Sequence, residues 1–511
     1  MLTYLGIENF KPFAELQSAE LAPITLIYGP NSSGKSSLIQ SLLLLRQSLT
    51  TPQTGDFSLI PRGAFADLGS FKSLVHKHEG ARKLGLQVGF TPNKSPQSSG
   101  SMERMIRQAD RKVSMTFEAC SSPQSRKKDS SRLSAIEYEL SGGDLLKAGL
   151  SRAPSGWGAD RQPPQPFELD AVPFRWSDDQ SRMSFATLHS TVPLRYPGAG
   201  RRSASWAAGA EMSEEEKRED LSARVQQLFD AVADAPFWAR GSLPGRLDIA
   251  APENASEFSR PDRISRVGFR TVFEVLQGDI LRMFNSIEYL GPLRSYPERF
   301  YLIRGGAATS VGTRGENTTQ VLFRGSENTQ PQINSWFKAF DIPYSLTLEP
   351  LGDDVTGEIV AMHLSDSRNR VQVAPSDVGF GIGQLLPILV QGVISKAQIL
   401  CVEQPEIHLH PRLQACLADF FIATAGLNSA KPSDRTVQWV TETHSEALML
   451  RLQRRIREGT IKPDDVSVLY VWPSPEGTSH IMKLRLDESG DFIDAWPDGF
   501  FEESYNEVFS G

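Results

Sequence analysis

Apolar positions are distributed unevenly along the chain, and their spacing divides it into stretches of different character. Residues 2–7 and 24–28 (Ile24, Thr25, Leu26, Ile27, Tyr28) are apolar runs of strand length. A Gly-rich turn follows the second run. Leu38, Ile39, Leu42, Leu43 and Leu45 then recur at helical spacing. Strand, Gly-rich turn and helix in that order open an α/β unit. From about residue 90 the pattern is lost. The stretches NKSPQSSGS, SSPQSRKKDSS, APSGWGADRQPPQP and YPGAGRRSAS are rich in Ser, Pro, Gly and basic residues, and read as long loops. One helix is expected among them. Ser213 and Glu216 form a capping-box pair, and Leu221, Val225, Leu228, Phe229 and Val232 follow at helical spacing. Periodicity returns with a helix over Phe273–Ile287, whose apolar positions are Phe273, Leu276, Ile280, Met283, Phe284 and Ile287. A Gly-rich segment at 376–384 and apolar strands at 398–402 and 436–441 follow. No internal repeat or coiled-coil heptad is present, which argues against a long-armed chain.

Composition narrows the classes. A chain of 511 residues exceeds one typical domain. The net charge of −7 gives no overall basic footprint for nucleic acid, although a local basic groove stays open. The three cysteines, Cys120, Cys401 and Cys416, have no CxxC spacing and suit a reducing compartment. No stretch reaches the roughly 18 apolar residues of a membrane span, and the start MLTYLGIENFK lacks the order of a signal peptide. The expectation is a cytoplasmic protein with no membrane partner.

Four motifs carry chemistry. Gly29-Pro30-Asn31-Ser32-Ser33-Gly34-Lys35-Ser36, with Ser37 after it, matches GxxxxGK[ST] between the expected strand and helix. Loop and helix-terminus N–H groups receive phosphate oxygens, Lys35 neutralises the β and γ phosphates, and Ser36 reaches Mg²⁺. Second, Ile399-Leu400-Cys401-Val402-Glu403-Gln404-Pro405-Glu406 is an apolar strand ending in an acid, as a Walker B does. Glu403 is the candidate to hold Mg²⁺ through its water shell. Third, Trp439-Val440-Thr441-Glu442-Thr443-His444-Ser445 is another apolar strand, and His444 is placed to meet the γ-phosphate or the attacking water. Fourth, Ser376-Asp377-Val378-Gly379-Phe380-Gly381-Ile382-Gly383-Gln384 feeds an apolar helix beginning at Leu385. Its N–H groups suit the γ-phosphate of a nucleotide bound to another subunit.

Four motifs in this order resemble the heads of ABC-type ATPases: Walker A, signature loop, Walker B and switch histidine. IENFKPF followed by ITLIYGPNSSGKSSL is similar to the SMC, RecF and OLD branch. The strings YLGPLR, DVGFGIGQLLP, EQPEIHLHP, ETHSE and WPDGFFEE resemble a bacterial group of AAA-family ATPases with a C-terminal domain of unknown function. The resemblance covers about 1–75 and 286–511. It implies an α/β fold, an ABC-type P-loop NTPase head (mixed sheet with flanking helices) interrupted by a large, partly irregular α+β insertion. The expected parts are an N-terminal lobe at 1–75, an insertion at 76–285, a C-terminal lobe at 286–480 and a tail domain at 481–511.

The resemblance also implies ATP and Mg²⁺ as ligands, ATP hydrolysis, and a head-to-tail homodimer or larger homo-oligomer. In that dimer the signature loop (Gly379, Gly381, Gly383 and Gln384) meets the partner's nucleotide. His410 falls at the D-loop aspartate position. A zinc site at His408 and His410 is set aside, because the spacing is i, i+2 and no third ligand is near. Two departures matter. Gln404 stands where the family has a catalytic glutamate, and an amide orients water but takes no proton, so either Glu406 or Glu442 is the base or hydrolysis is slow. The signature also lacks its serine.

Relatives of this kind resemble ATPases of bacterial anti-phage and mobile-element defence that govern a separate effector, often a nuclease. The acidic residues Asp487, Glu488, Asp491 and Asp494 read as a solvated turn rather than a nuclease centre. Two alternatives remain. One is a DNA-clamping repair or chromosome-maintenance ATPase, suggested by Arg104, Arg107, Arg111, Lys112, Arg126, Lys127, Lys128 and Arg132. The other is a nucleotide-locked scaffold, suggested by Gln404.

Overall fold

The computed structural model describes residues 1–51, 58–92, 110–119, 131–140, 146–152, 167–172, 239–240, 248–249, 277–306, 308–353, 355, 357–396, 398–428 and 436–497. The strands in chain order are β1 (Leu2–Glu8), β2 (Gln17–Glu20), β3 (Ile24–Tyr28), β4 (Leu84–Phe90), β5 (Arg111–Ala119), β6 (Ser131–Leu140), β7 (Leu146–Arg152), β8 (Phe167–Val172), β9 (Ala239–Arg240), β10 (Asp248–Ile249), β11 (Ile287–Leu290), β12 (Phe300–Leu302), β13 (Tyr344–Pro350), β14 (Ile359–Asp366), β15 (Gln372–Val373), β16 (Ile399–Glu403), β17 (Gln438–Glu442), β18 (Val466–Pro473) and β19 (Ser479–Leu484). The main helices are α1 (Lys35–Thr50), α2 (Thr318–Arg324), α3 (Thr329–Ala339), α4 (Phe380–Ile394), α5 (Pro411–Thr424) and α6 (Glu446–Arg457). The chain divides into two compact units. One holds Met1–Leu16 and Leu44–Asn285, the other Gln17–Leu43 and Ser286–Gly511.

In the first unit β1, β4, β5, β6, β7 and β8 lie side by side, each antiparallel to the next. Alternation sets the buried face of β5. Val113, Met115 and Phe117 point inward, while Lys112, Ser114 and Thr116 are half-exposed. Arg111 continues the buried register and is neutralised by Asp279 at 2.5 Å. The expected insertion is therefore mainly an antiparallel meander where it is described. The helix expected after Ser213 lies outside the described residues.

The second unit is built on a six-stranded sheet in the order β11-β16-β17-β3-β18-β19. The first five strands are mutually parallel, and β19 returns antiparallel. All five positions of β3, β16 and β17 are buried, which explains their unbroken apolar sequence: parallel strands are covered on both faces. Trp439 of β17 anchors the core, stacked on Phe421 at 4.1 Å and set against Phe420 at 5.8 Å. A smaller sheet, β12-β14-β13 with β15 beside β14, completes this unit. The fold class is thus mixed α/β, a sheet with flanking helices.

Two elements differ from their sequence patterns. The helix expected over Phe273–Ile287 is described only from 277, runs to 285, and gives way to β11 at Ile287. Ile287 is buried in the parallel sheet opposite Ile399, so its apolar character serves a strand rather than the helix stripe. The helix expected from Leu385 starts earlier, at Phe380, so Gly381 and Gly383 sit inside its first turn. No helix among the described residues is long and apolar enough to cross a membrane.

Candidate functional site

Three of the sheet's parallel strands end at one edge, and each releases a loop carrying polar residues. Ligands of open α/β sheets bind at this carboxyl edge. β3 ends at Tyr28 and turns into Gly29–Gly34, after which α1 begins at Lys35. The turn leaves no room for a side chain at its start. Gly29 has φ +144°, and a Cβ there would lie 2.0 Å from the Val471 carbonyl oxygen of β18. Ser32 adopts φ 63°. Lys35 is buried and donates to the carbonyls of Gly29 at 2.9 Å and Pro30 at 2.7 Å, so its ammonium spans the mouth of the loop. Burial lowers its pKa, and the nearby Glu442 and Glu406 carboxylates oppose that shift.

β16 and β17 are parallel neighbours, and their registers place Glu403 beside Glu442. The two acids have different partners. Glu442 accepts the hydroxyl of Ser36, the residue after Lys35, and burial raises its pKa against the pull of that bond and of Lys35. Its Oε2 is buried without a hydrogen-bond partner, as is Ser33 Oγ of the loop. Glu403 accepts the Tyr289 hydroxyl at 3.0 Å. That phenol is pushed well above its ordinary pKa by burial and by Glu403. The carboxylate joined to Ser36 is therefore Glu442, which must stand beside the expected Ser36 and Glu403 as a metal candidate. A buried unpartnered carboxylate oxygen and hydroxyl, a loop with no side chain at its start and a lysine fit a phosphate chain with its cation.

Gln404 leaves β16 with φ 45°, a conformation costly for a residue with a Cβ. Its backbone hydrogen bonds hold it there, the carbonyl also accepting the Ile407 N–H at 3.3 Å. Its N–H donates to Glu442 O at 2.7 Å, and its carbonyl accepts Arg294 Nη1 at 3.3 Å. Arg294 Nη2 also donates to Glu403 O at 2.9 Å. The guanidinium is buried, which lowers its pKa to about 10 against the attraction of Glu406, Tyr289 and Glu403. Arg294 and Tyr289 were not named as site residues from the sequence, although both lie in the YLGPLR string that carries the family resemblance.

Glu406 receives the Thr443 hydroxyl and the His444 N–H, both at 2.7 Å. Burial raises its pKa, while these two bonds lower it. His444 is half-buried, and its pKa is lowered by burial and by Lys35. The next residue, Ser445, caps α6 through Leu448 N–H at 3.0 Å. His410 is an exposed cap on α5, its Nδ1 accepting Arg412 N–H at 3.2 Å, and the His408 ring meets Phe380 edge-on at 4.7 Å. Among the described residues no group of three acids, histidines or cysteines is arranged for a metal.

The signature segment forms the N-terminus of α4. Gly379 is its cap, places no side chain over the first N–H groups and has open space around it. At Gly381 and Gly383 there is no room for a side chain. A Cβ would come within 2.8 Å of His408 O at the first and 2.5 Å of Pro297 Cγ at the second. Gln384 is buried. Around Gly379 lie the exposed Phe380 and Tyr296, whose rings are 5.7 Å apart.

Charged stretches outside this edge have local partners. Arg111 is buried against Asp279, Lys112 lies over the Tyr4 ring at 4.4 Å, and Arg132 pairs with Glu118 at 2.8 Å. The other basic residues named with them lie outside the described residues. Of the acidic group, Asp491 pairs with Arg457, Asp494 pairs with Arg485, and Asp487 accepts the turn N–H groups of Ser489 and Asp491.

Family models match parts of the chain that carry these residues. A model described as an AAA domain matches residues 4–140, and one described as an AAA ATPase domain matches residues 316–449. These segments contain the P-loop and, in the second, Gly379, Glu403, Gln404, Glu406, Glu442 and His444. A model of a protein of unknown function matches residues 461–510. No curated protein matches the chain. Solved structures similar to it include an SMC head bound to the C-terminal winged-helix domain of ScpA (10% identity, TM-score 0.39, 96% of this chain and 98% of that one). Others are the SMC head domain from Thermotoga maritima (9%, 0.36, 95% and 99%) and that of Pyrococcus furiosus with an extended coiled coil, bound to the C-terminal domain of ScpA (12%, 0.38, 95% and 96%).

Proposed function

We propose that the chain binds ATP with Mg²⁺ at the carboxyl edge of its parallel sheet and hydrolyses it slowly. The observation that carries this is the convergence of Gly29–Ser36, Glu442 and His444, joined by the Ser36–Glu442 hydrogen bond. Gly29, Pro30, Asn31, Ser32, Ser33, Gly34, Lys35, Ser36 and Ser37 hold the phosphates through backbone N–H groups, the ammonium and hydroxyls. Ser36 and Glu442 bind the cation, with Glu403 acting on its water shell. The cation, when bound, neutralises charge developing on the phosphate oxygens. Gln404 and the neutral imidazole of His444 orient the attacking water. Phosphoryl transfer depends mainly on positioning and charge stabilisation, so an amide in place of a base slows it without abolishing it. Glu406 fixes the segment that carries His444.

Association of two copies completes the site in this reading. The uncapped α4 terminus at Gly379, ringed by exposed Phe380 and Tyr296, with His410 exposed nearby, supplies a surface for the partner's nucleotide. We propose further that this association governs a separate effector in bacterial defence, on the strength of the sequence resemblance alone. Gln404 favours a second reading, in which ATP locks the dimer and turnover is negligible.

The test is ATP binding, phosphate release and mass in solution for the intact chain with Mg²⁺, beside Lys35→Ala and Glu442→Gln. Binding lost in Lys35→Ala and turnover lost in both variants is the expected result. Binding and assembly with no turnover selects the locked scaffold. No ATP binding by the unaltered chain overturns both.

A further inference from the structure

The segment with no assigned role is the C-terminal turn from Asp487 to Trp496, which includes the start of the WPDGFFEE string. It touches two elements that frame the nucleotide site. On one side it is clasped to α6. Gln453 Nε2 donates to Gly490 O at 2.8 Å, Arg457 Nε donates to Ser489 O at 3.1 Å, and Arg457 pairs with Asp491 at 3.0 Å. The turn is itself braced. Arg485 grips both oxygens of Asp494, at 2.8 and 3.0 Å, and donates its own N–H to the same carboxylate.

On the other side Trp496 meets Tyr28 edge-on, with ring centroids 5.5 Å apart and planes at 85°. Tyr28 is the residue immediately before Gly29 and is fully buried. Its hydroxyl donates to Ser445 O at 2.9 Å, one residue past His444. Trp496 is held in place by two more edge-on rings, Tyr470 at 5.8 Å and Phe492 at 5.0 Å. A single aromatic line therefore runs from the C-terminal turn through Tyr28 to the backbone beside His444. Ser445 also caps α6, the helix to which the turn is clasped. The P-loop entrance and the histidine loop are thus tied to the same ten-residue turn.

We infer that Trp496 is a positioning residue of the nucleotide site, acting through Tyr28 to hold the start of the P-loop in register with the His444 segment. The inference rests on the proposal that ATP binds there. Edge-to-face packing fixes both the distance and the angle of a ring. Trp496 thus packs against the ring that precedes Gly29 and whose hydroxyl donates to Ser445 O.

The experiment uses the full chain with Trp496→Ala, Trp496→Phe, Tyr28→Phe and Lys35→Ala, reading ATP affinity, kcat, KM and melting temperature together. Trp496→Ala is expected to weaken ATP binding about tenfold, and Trp496→Phe, which keeps an edge-on ring, to restore most of it. Tyr28→Phe keeps the ring but removes the bond to Ser445, and is expected to lower kcat about tenfold with KM little changed. In parallel, ATP should slow hydrogen exchange at 487–496 in the unaltered chain, a readout that needs no variant to fold. Trp496→Ala with a lower melting temperature but unchanged affinity, kcat and KM overturns the inference, as does exchange at 487–496 that ATP leaves untouched. Absence of ATP binding by the unaltered chain overturns the functional proposal and this inference together. Binding lost in Lys35→Ala alone leaves the former standing and removes the latter.

Discussion

Glu406 holds the backbone N–H of His444 at 2.7 Å, and its other oxygen holds Thr443 at the same distance. A carboxylate engaged in this way fixes the histidine segment from the opposite loop. Glutamine in its place can still accept the N–H and meet the hydroxyl, whereas alanine leaves two donors without acceptors. Hydrogen bonds to a charged acceptor contribute about 1.5–3 kcal/mol each. Glu406→Ala should therefore lower kcat by about a hundredfold or more, and Glu406→Gln by about tenfold or less. Equal and complete loss of steady-state turnover in both variants would show instead that Glu406 takes the proton.

Arg294 offers a second test. Its guanidinium is buried and serves the carbonyls of Glu403 and Gln404. Arg294→Lys cannot reach both, because an ammonium is a point donor and a guanidinium a fork. We expect Arg294→Lys and Arg294→Met each to destabilise the chain by about 2–4 kcal/mol in urea unfolding. Turnover should fall as well, as Gln404 relaxes from φ 45°. Unaltered stability in both variants would mean that the two carbonyls find other donors.

Glycines at the two ends of the site should respond differently. A Cβ at Gly29 meets a backbone carbonyl at 2.0 Å in a conformation that side chains avoid, so Gly29→Ala should abolish ATP binding and lower the melting temperature. Gly379 has open space, and its φ of −53° suits any residue. Gly379→Glu should fold with an unchanged melting temperature and bind ATP, yet fail to associate, because its carboxylate occupies the anion-seeking helix terminus. Normal ATP-dependent assembly of Gly379→Glu in light scattering would remove α4 from the interface.

His444 gives a pH dependence of defined sign. Its folded pKa lies below the ordinary histidine value, owing to burial and to Lys35. The unfolded histidine takes up a proton below about pH 6.5, which the folded one resists. Its contribution to stability is thus complete above that pH and is lost as the pH falls through the folded value. Glu406 and Glu442 are shifted the other way, so the histidine is isolated by difference. The melting-temperature gap between the unaltered chain and His444→Gln should be flat above pH 6.5 and change below it. A gap constant from pH 7.5 to 5.5 would contradict the shift.

The order of motifs was legible because each is local. Gly29–Ser36, Glu403 and His444 are marked by a strand ending in the right residue type, and the sheet brings those strand ends to one edge. Partnerships across the sheet were not legible. Nothing in the sequence joins Ser36 to Glu442, Tyr289 to Glu403 or Arg294 to Gln404, since each depends on strand order and register. The early start of α4 was hidden for another reason. Glycines are poor helix formers, so a run of them reads as loop, yet Gly381 and Gly383 are needed where His408 and Pro297 press against the first turn.

β3 lies between β17 and β18, so the first strand of its sheet to be made gains its neighbours only late in the chain. During synthesis its two neighbours emerge only after most of the chain has left the ribosome, a wait on the order of tens of seconds. Until then the apolar sequence ITLIY has no native partner, and the loop after it has no Val471 carbonyl to close against. The nascent chain must keep this strand from pairing elsewhere, and it cannot bind nucleotide until β18 is made. Pairing this distant is slow to form. The nucleotide itself, by binding only the assembled edge, would then favour the finished fold over its competitors.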